Sequence, residues 1–181
     1  RAPRGSWRHK LAAYTARLWD QVPGVQVIHA SDKPWKPGDP FSVSRAVNRA
    51  RQQTTAPRLL VMGSDHIPPT PDVIERIHAT LDRAPWMCVY GDTWQYTERT
   101  TRRILAGSVD PHRVPPDGRK VGVSWGITAY RADVWDDLGG YDESFRGWGE
   151  EDRAIRLALE TLYPGGVPRG EGYVSTLWHP P

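Results

Sequence analysis

The stretch "RLLVMGSDHIPPTPDVIERIHATLDRAPWMCVY", residues 58–90, alternates two kinds of hydrophobic pattern. Its opening run "RLLVM" is short and apolar and ends in the small residues of "GSD", as a buried β-strand does. In "PTPDVIERIHATLDRA" the apolar residues recur at helical spacing, and Pro71 stands near the first turn. The run "WMCVY" then returns to a strand pattern. A strand, a helix and a second strand in this order predict an α/β unit.

The same alternation continues on both sides of this stretch. Helical spacing predicts helices over 6–22, 42–55 and 149–162, and apolar runs predict strands at 25–29 and 173–181. Strands that alternate with helices tend to run parallel, with helices on both faces of their sheet. We therefore expect an α/β fold, a three-layer sandwich around a mostly parallel central sheet.

Three stretches between these elements are less regular. The segment "WMCVYGDTWQYT", residues 86–97, has the pattern of one strand or of a hairpin, and residues 123–140 hold a strand followed by a short helix. Residues 99–120 are polar and rich in proline, which is typical of a mobile loop near a site. We expect residues 95–124 to decide which acceptor is recognised.

Length and composition favour one compact domain over residues 1–181. A chain of 181 residues can bury about two thirds of its unfolded surface, so it needs no disulfide. The only cysteine, Cys88, lies in an apolar run and is expected to be a buried hydrophobic residue, not a nucleophile. Apolar runs stay well short of the roughly 20 residues that a membrane span needs. We expect a soluble, cytoplasmic protein that has no membrane partner.

Charge is distributed unevenly along the chain. Residues 1–60 carry 11 Lys and Arg against 3 acids, whereas residues 61–181 carry 13 against 18. A basic first third suits an anionic ligand, such as a nucleoside diphosphate or a nucleic-acid backbone. Solvated helix faces also account for many charges of this kind.

Two residues at predicted strand ends are candidate metal ligands. Asp65 follows the buried run "LLVM", at the edge where α/β sheets bind ligands, and a carboxylate there can hold a divalent cation. His179 ends the last predicted strand, and an imidazole is a competent ligand for Mn²⁺ and similar metals. Taken alone, Asp65 can equally accept hydrogen bonds in a turn, and His179 is the weaker candidate.

The segment "GWGEED", residues 147–152, places an indole between two glycines and three acids directly after it. These acids fall at the start of the last amphipathic helix, where they complement the positive end of its dipole. For Glu150 we favour that role alone. An acid held there beside a tryptophan-walled pocket can also deprotonate a sugar hydroxyl as a general base.

The longer stretch "GGYDESFRGWGEEDRAIRLALE", residues 139–160, closely resembles a segment of GT-A glycosyltransferases of family 2. The nearest group contains β1,4-galactosyltransferases, chondroitin polymerases and polypeptide N-acetylgalactosaminyltransferases. Three further segments are similar to the family in the same order, and the four extend over about 140 residues of the chain: "FSVSRAVNRA" (41–50), "LLVMGSDHIPP" (59–69) and "LWHPP" (177–181). The resemblance implies a GT-A, Rossmann-like fold and an enzyme that transfers a sugar from a nucleotide diphosphate, a UDP-sugar, to an acceptor hydroxyl.

The resemblance also implies roles for individual residues. Asp152 matches the general base of the inverting members, and Glu151 matches a residue that helps to hold the sugar or acceptor. Trp148 matches the indole that walls the site, and Gly147 and Gly149 allow its loop to bend. Because the retaining branch usually has Asn where this chain has Asp152, the resemblance implies transfer with inversion in one step.

Donor and metal sites follow from the other segments. Asp65 matches the last Asp of the DxD motif and His179 matches a late histidine ligand, which together imply Mn²⁺ or Mg²⁺ on the diphosphate. Gly63 replaces the first Asp, so one contact is missing or comes from Ser64, His66 or a neighbour. The residues that match positions near the nucleotide or the donor sugar are Arg45, Asn48, Ser64, Asp65, Trp125, Gly126 and Trp148.

Two other functions fit the same residues. Because Gly63 departs from the motif, a GT-A-like module that binds a nucleotide or glycan without turnover is one alternative. The basic first third allows a second alternative, an enzyme that glycosylates modified nucleic-acid bases. The expected acceptor is therefore a glycan, a protein or modified DNA. Relatives begin with a strand and a nucleotide-binding turn; we expect that strand before residue 1, and Arg4 or Arg8 as what remains of the turn.

Overall fold

The structure, a computed structural model, describes residues 6–32, 40–123, 126–147 and 149–180. Helices and strands alternate along these residues. The helices are α1 (Trp7–Trp19), α2 (Val43–Arg51), α3 (Pro71–Leu81), α4 (Glu98–Leu105), α5 (Ala132–Leu138) and α6 (Glu151–Leu162). The strands are β1 (Arg58–Val61), β2 (Trp86–Cys88), β3 (Asp92–Gln95), β4 (Lys120–Val123), β5 (Thr128–Arg131) and β6 (Tyr173–Thr176).

Hydroxyl side chains define where several helices begin. The Ser6 side chain accepts a hydrogen bond from the His9 backbone N–H at the start of α1, and Ser42 accepts one from Arg45 at the start of α2. Each bond satisfies one backbone donor that the first helical turn leaves free. In α3 the first helical turn contains Pro71. Proline lacks a backbone N–H, but no hydrogen bond is lost, because an N–H at this position has no partner within the helix. The predicted cap at Ser6 and the position of Pro71 in the first turn of α3 are confirmed, and of the two candidate caps for α2, Ser42 and Ser44, the structure uses Ser42.

The first sheet has the strand order β1-β5-β2, and helices cover both of its faces. On one face Met87 and Ala129 pack with Ile77 and Leu81 of α3. On the other face the side chains of the same strands pack with α5 and α6, in a cluster that contains Trp86, Cys88, Tyr130, Trp135, Ile155 and Leu159. The predicted α/β class and the three-layer arrangement are therefore confirmed, as is the burial of Cys88, which is 1 % exposed.

The second sheet has the order β4-β3-β6, and helices α1 and α4 pack beside it. Its strand β3 pairs antiparallel with β4 and parallel with β6. A third apolar cluster joins both helices to this part of the fold through Leu11, Ile67, Tyr96, Ile104 and Leu177. The end of β6 is thereby fixed against α1 and α4.

The direction of the strands corrects one part of the prediction. Among the described pairings between two named strands only β3 with β6 is parallel, and the other three are antiparallel. An isolated bridge from Met87 to Val167 is also parallel. The unit β1-α3-β2 does give two strands of the same direction, as its alternation predicts. However, β5 lies between them and runs the opposite way, so that it pairs with both. Local hydrophobic patterns carry no information about a strand inserted from later in the chain.

Three local predictions also differ from the structure. Residues 25–29 form no strand, because within the described residues no neighbouring strand pairs with them. Part of the expected loop over 99–120 is helix α4, which Thr97 caps and which buries Thr100, Thr101 and Ile104 along one face. The stretch 86–97 is not a hairpin, since β2 and β3 belong to different sheets. None of the helices in the described part of the chain has the length and apolar character that crossing a bilayer requires.

Candidate active site

Three chain segments meet at one edge of the first sheet. Val61, the last residue of β1, pairs with Thr128, the first residue of β5, so the residues after β1 and those before β5 leave the sheet at the same edge. The segment after β6 joins them, because the Leu177 backbone N–H donates to the Asp65 carbonyl at 2.8 Å. Asp65, Gly126 and His179, which lie far apart in sequence, all belong to these segments.

Asp65 and two histidines form the polar centre of this edge. The His179 Nε2 lies 3.3 Å from Asp65 Oδ2, and the His66 Nδ1 lies 3.2 Å from Oδ1. Burial alone would raise the pKa of Asp65, but its contacts with His179 and His66 outweigh that effect and hold the pKa far below its ordinary value. The same contact with Asp65 raises the pKa of His179. The predicted pair of metal ligands is thus brought together as a carboxylate beside an imidazole.

The hydrogen bonds of His179 constrain what can lie between this pair. Its Nδ1 is 2.9 Å from the Pro180 carbonyl and 3.2 Å from the Arg8 Nη2. One ring nitrogen cannot donate to a carbonyl and accept from a guanidinium at the same time. When Nδ1–H donates to Pro180, the Nε2 lone pair faces the Asp65 carboxylate, and a proton or a cation must separate the two acceptors. Metal-bound histidines commonly donate their second N–H to a carbonyl in this way.

The donor set fits a divalent cation that is shared with a phosphate. His66 Nδ1 is buried and has no hydrogen-bond partner among the described residues, although it lies close to the carboxylate. Across the described part of the chain, no group of three or more His, Cys, Asp or Glu side chains is arranged to enclose a metal. The protein therefore offers Asp65 and His179, and phosphate oxygens and water would complete the shell, as is usual for Mg²⁺ and similar ions.

Asp152 lies in the first turn of α6, beside Gly126. Its Oδ1 accepts the Arg153 backbone N–H at 2.8 Å, which fixes the orientation of the carboxylate. Its Oδ2 is the nearest atom to the open side of Gly126, where a Cβ atom would lie 3.7 Å from it. Glu151, the neighbouring residue, is also partly buried at the helix start. The structure thus brings together two of the residues that the sequence selected, Asp152 and Gly126.

The loop before α6 has an unusual backbone. Gly147 and Gly149 have φ values of 88° and 112°, which agrees with the expected role of these glycines in bending the loop. Glu150 also has a positive φ, 69°, and α6 starts without a side-chain cap. Gly147 is anchored by its N–H, which donates to the Phe41 carbonyl at 2.8 Å. Trp148 lies outside the described residues.

Two predicted donor-binding residues are held by the protein itself. The Arg45 guanidinium binds Asp32 with two nitrogens, at 2.5 Å and 2.7 Å, and both side chains are almost fully buried. Asn48 exchanges two hydrogen bonds with the backbone of Tyr141, at 2.8 Å and 2.9 Å. These contacts give Arg45 and Asn48 structural roles in placing α2 against the segment that leads to Gly147. Asp32 was not selected from the sequence, where no motif marks it.

The contacts of the other predicted site residues say less about ligand binding. The Ser64 carbonyl accepts the Thr15 hydroxyl at 2.7 Å, which ties the turn after β1 to α1. Arg8 touches His179, as described above, in the region expected for the nucleotide-binding turn. Trp125 and Arg4 lie outside the described residues.

Comparison with known proteins gives one family match and a set of remote structural likenesses. Residues 111–162 match the family described as the N-terminal domain of galactosyltransferase. No curated protein matches the sequence significantly. Glucosyl-3-phosphoglycerate synthase from Mycobacterium tuberculosis, in complex with Mn²⁺ and UDP-glucose, is 17% identical with a TM-score of 0.45, over 82% of this chain and 49% of that one. A mycobacterial protein is 15% identical with a TM-score of 0.45, over 82% and 47%.

A further structure of the synthase, with Mn²⁺, UDP and phosphoglyceric acid, is 17% identical with a TM-score of 0.44, over 82% and 49%. The chain thus spans about half the length of these solved structures. The family match covers Gly126, Glu151 and Asp152 together with α5 and α6. It confirms the predicted resemblance, because residues 111–162 are similar to the galactosyltransferase family.

Proposed function

We propose that this protein is a glycosyltransferase that moves a sugar from a nucleotide diphosphate donor, a UDP-sugar, to an acceptor hydroxyl with inversion. One observation carries the proposal: the galactosyltransferase match falls on the Asp152–Gly126 pair. The segment that contains Gly126 leaves the sheet at the same edge as Asp65 and His179. A candidate base and a candidate diphosphate site are therefore neighbours in the fold.

Asp152 is suited to act as the general base. The Arg153 N–H holds one oxygen, and the other faces the space that Gly126 leaves free of a side chain. An acceptor hydroxyl in that space gives its proton to Oδ2 while its oxygen attacks the anomeric carbon of the donor. The bond from that carbon to the diphosphate oxygen breaks, and the nucleoside diphosphate leaves with the electron pair. Glu151 and Trp148 are proposed to hold the sugar and the acceptor.

Asp65 and His179 are proposed to hold Mn²⁺ or Mg²⁺ on the donor diphosphate. A bound divalent cation would neutralise the negative charge that the departing diphosphate gains. The chain prepares this position by holding Asp65 as a carboxylate and by orienting His179 through the Pro180 carbonyl. Ser64 and Trp125 are proposed to line the donor site next to them.

The proposal is tested first by calorimetric titration with UDP, with and without Mn²⁺. We expect metal-dependent binding in the wild type, a loss of that binding in Asp65→Ala, and unchanged binding in Asp20→Ala, which removes an exposed acid at the end of α1. Binding that ignores the metal would remove Asp65 and His179 from the proposed role. The absence of UDP binding would contradict the choice of donor.

The role of Asp152 is tested with Asp152→Asn, which keeps the shape of the side chain and removes the base. We expect donor binding to be retained and transfer from the UDP-sugar to fall about 10²- to 10⁴-fold, the usual contribution of a positioned base. Asp20→Asn serves as the matched control. Near-normal turnover in Asp152→Asn would exclude this residue as the base, and wild-type protein that binds UDP but turns over no UDP-sugar would favour the binding module.

A further inference from the structure

An open groove lies between α1 and α4, away from the sheet edge described above. It has a volume of about 370 Å³ and is lined by Lys10, Ala13, Tyr14, Arg17 and Leu105. Lys10, Tyr14 and Arg17 are spaced four and three residues apart, which places them on one face of α1. Beneath them Leu11 and Ile104 are buried and hold the two helices together. The groove is therefore a fixed feature of the packing between α1 and α4.

The helices on both sides of the groove are strongly basic. Helix α1 contains no acidic residue and carries Arg8, Lys10 and Arg17. Helix α4 carries one acid, Glu98, against three arginines: Arg99, Arg102 and Arg103. Glu98 pairs with Arg102 at 2.6 Å, and Asp110, whose charge acts on Tyr14, pairs with Arg113 at 3.3 Å. These two acids are thus already paired, and Lys10 and Arg17 give the lining of the groove a positive charge.

Both walls of the groove reach the candidate active site through Trp178, the residue before His179. The Trp7 indole of α1 donates to the Trp178 carbonyl at 2.8 Å, and Thr101 of α4 accepts the Trp178 N–H at 2.9 Å. Arg102 stacks over Trp7, with its guanidinium carbon 4.9 Å from the ring centre. From Arg8, which touches His179, to Arg17 the helix rises about 14 Å. A polymer in the groove would therefore run along α1 towards the Asp65–His179 pair.

We propose that this groove binds the phosphodiester chain of a single-stranded nucleic acid, which serves as the acceptor. The role as acceptor site rests on the proposed glycosyltransferase function, whereas the binding itself does not. Lys10 and Arg17 are the cations that line the groove, and the guanidinium group of Arg17 matches phosphate oxygens in pairs. Tyr14 places a half-buried ring between Lys10 and Arg17, and the Arg17 guanidinium carbon lies 5.7 Å from the ring centre. A positively charged groove that contains an aromatic ring is typical of surfaces that stack bases.

The test measures the binding of a fluorescein-labelled oligothymidylate by anisotropy at several salt concentrations. The wild type is compared with Lys10→Ala/Arg17→Ala and with the control Arg83→Ala/Arg169→Ala, which removes the same charge from exposed positions outside the groove. We expect the groove variant to bind at least about tenfold more weakly. Its plot of log K against log salt should be less steep by about 1.4, the value for two lost contacts to single-stranded phosphates.

Three outcomes would overturn the proposal. One is that the wild type does not bind the oligonucleotide at low salt, and another is that both double variants lose affinity equally, which would reduce the effect to net charge. The third is that a sulfated polysaccharide displaces the oligonucleotide at a lower concentration and with the same dependence on Lys10 and Arg17. Calorimetry with UDP on the same variants separates the two proposals, because donor binding should be unchanged when the groove is altered.

Discussion

Two carboxylates of this protein, Asp32 and Asp65, each lie against a nitrogen-containing side chain, Arg45 and His179 respectively. The two pairs differ in how deeply they are buried. In the Asp32–Arg45 pair the side chains are only 1% and 3% exposed. In the Asp65–His179 pair each side chain is 22% exposed. Sequence reasoning selected Arg45 and Asp65 alike as residues that bind the donor. Burial therefore distinguishes the pair that stabilises the fold from the pair that can bind a ligand. Sequence motifs do not reveal burial.

The hydrogen bonds of the two carboxylates differ in the same sense. Both oxygens of Asp32 are used inside the protein, by two nitrogens of Arg45 and by the Ser42 backbone N–H at 2.9 Å. Asp65 instead faces a buried His66 nitrogen that has no hydrogen-bond partner in the described part of the chain, and a His179 ring that can present a lone pair. Asp65 can therefore still bind a cation, whereas the oxygens of Asp32 are already occupied by hydrogen bonds within the protein.

The largest expected effect concerns the buried pair. Asp32→Asn removes the charge of the carboxylate that binds two nitrogens of the buried Arg45 guanidinium, which should lower the free energy of unfolding by about 3–5 kcal/mol. Asp136→Asn is the matched control, because Asp136 binds Arg51 with the same two-pronged geometry but is 56% exposed, and exposed pairs contribute about 0–1 kcal/mol. Urea denaturation measures both. Equal losses in the two variants would show that burial does not distinguish these pairs.

A smaller effect is expected from the exposed side of the comparison. His179→Ala should weaken Mn²⁺-dependent UDP binding by about 10- to 100-fold, the range found when the environment of a metal ligand is disrupted. Its free energy of unfolding should change little, because the side chain is partly exposed. His29→Ala, which removes an exposed histidine elsewhere, is the control. An unchanged metal titration in His179→Ala would mean that this histidine serves only the fold.

The smallest effect is a difference in acid sensitivity. The hydrogen bond from Arg45 lowers the pKa of Asp32, so the folded-state value lies below that of the unfolded chain. The resulting stabilisation is complete above the ordinary aspartate pKa of about 4 and is lost as the pH falls towards the folded-state value. Between about pH 5 and pH 3 the wild type should therefore lose more stability than Asp32→Asn in urea titrations. Parallel pH profiles for the two proteins would argue against a lowered pKa.

Much of the fold could be predicted because it depends on local signals. The helix starts at Ser6, Ser42 and Pro71 follow from capping and proline geometry, and the apolar run at β1 marks a strand, although this strand is half-buried and not fully buried as predicted. The placement of β5 between β1 and β2 could not be predicted, because pairing between distant segments leaves no local pattern. Helix α4 was missed since its polar residues and the prolines beyond it suggest a loop, although Thr100 and Thr101 are buried.

The candidate site was predictable where a motif coincided with an exposed sheet edge. Asp65, His179, Asp152 and Gly126 were selected by their positions in the sequence, and the structure brings them together in two pairs, Asp65 with His179 and Asp152 with Gly126. Arg45 was assigned to the donor because its buried partner, Asp32, lies in a segment without any recognisable pattern. Motifs identify residue types, but only the packing shows which charges are already neutralised.

The insertion of β5 also has a consequence for the order in which the chain can fold. Val61 of β1 pairs with Thr128, which lies about 70 residues later in the chain, and β2 pairs with the same strand β5. During synthesis, the central sheet therefore cannot assemble until residues 128–131 have left the ribosome. Until then β1 and β2 present unpaired apolar edges, which makes the incomplete chain the form most exposed to aggregation.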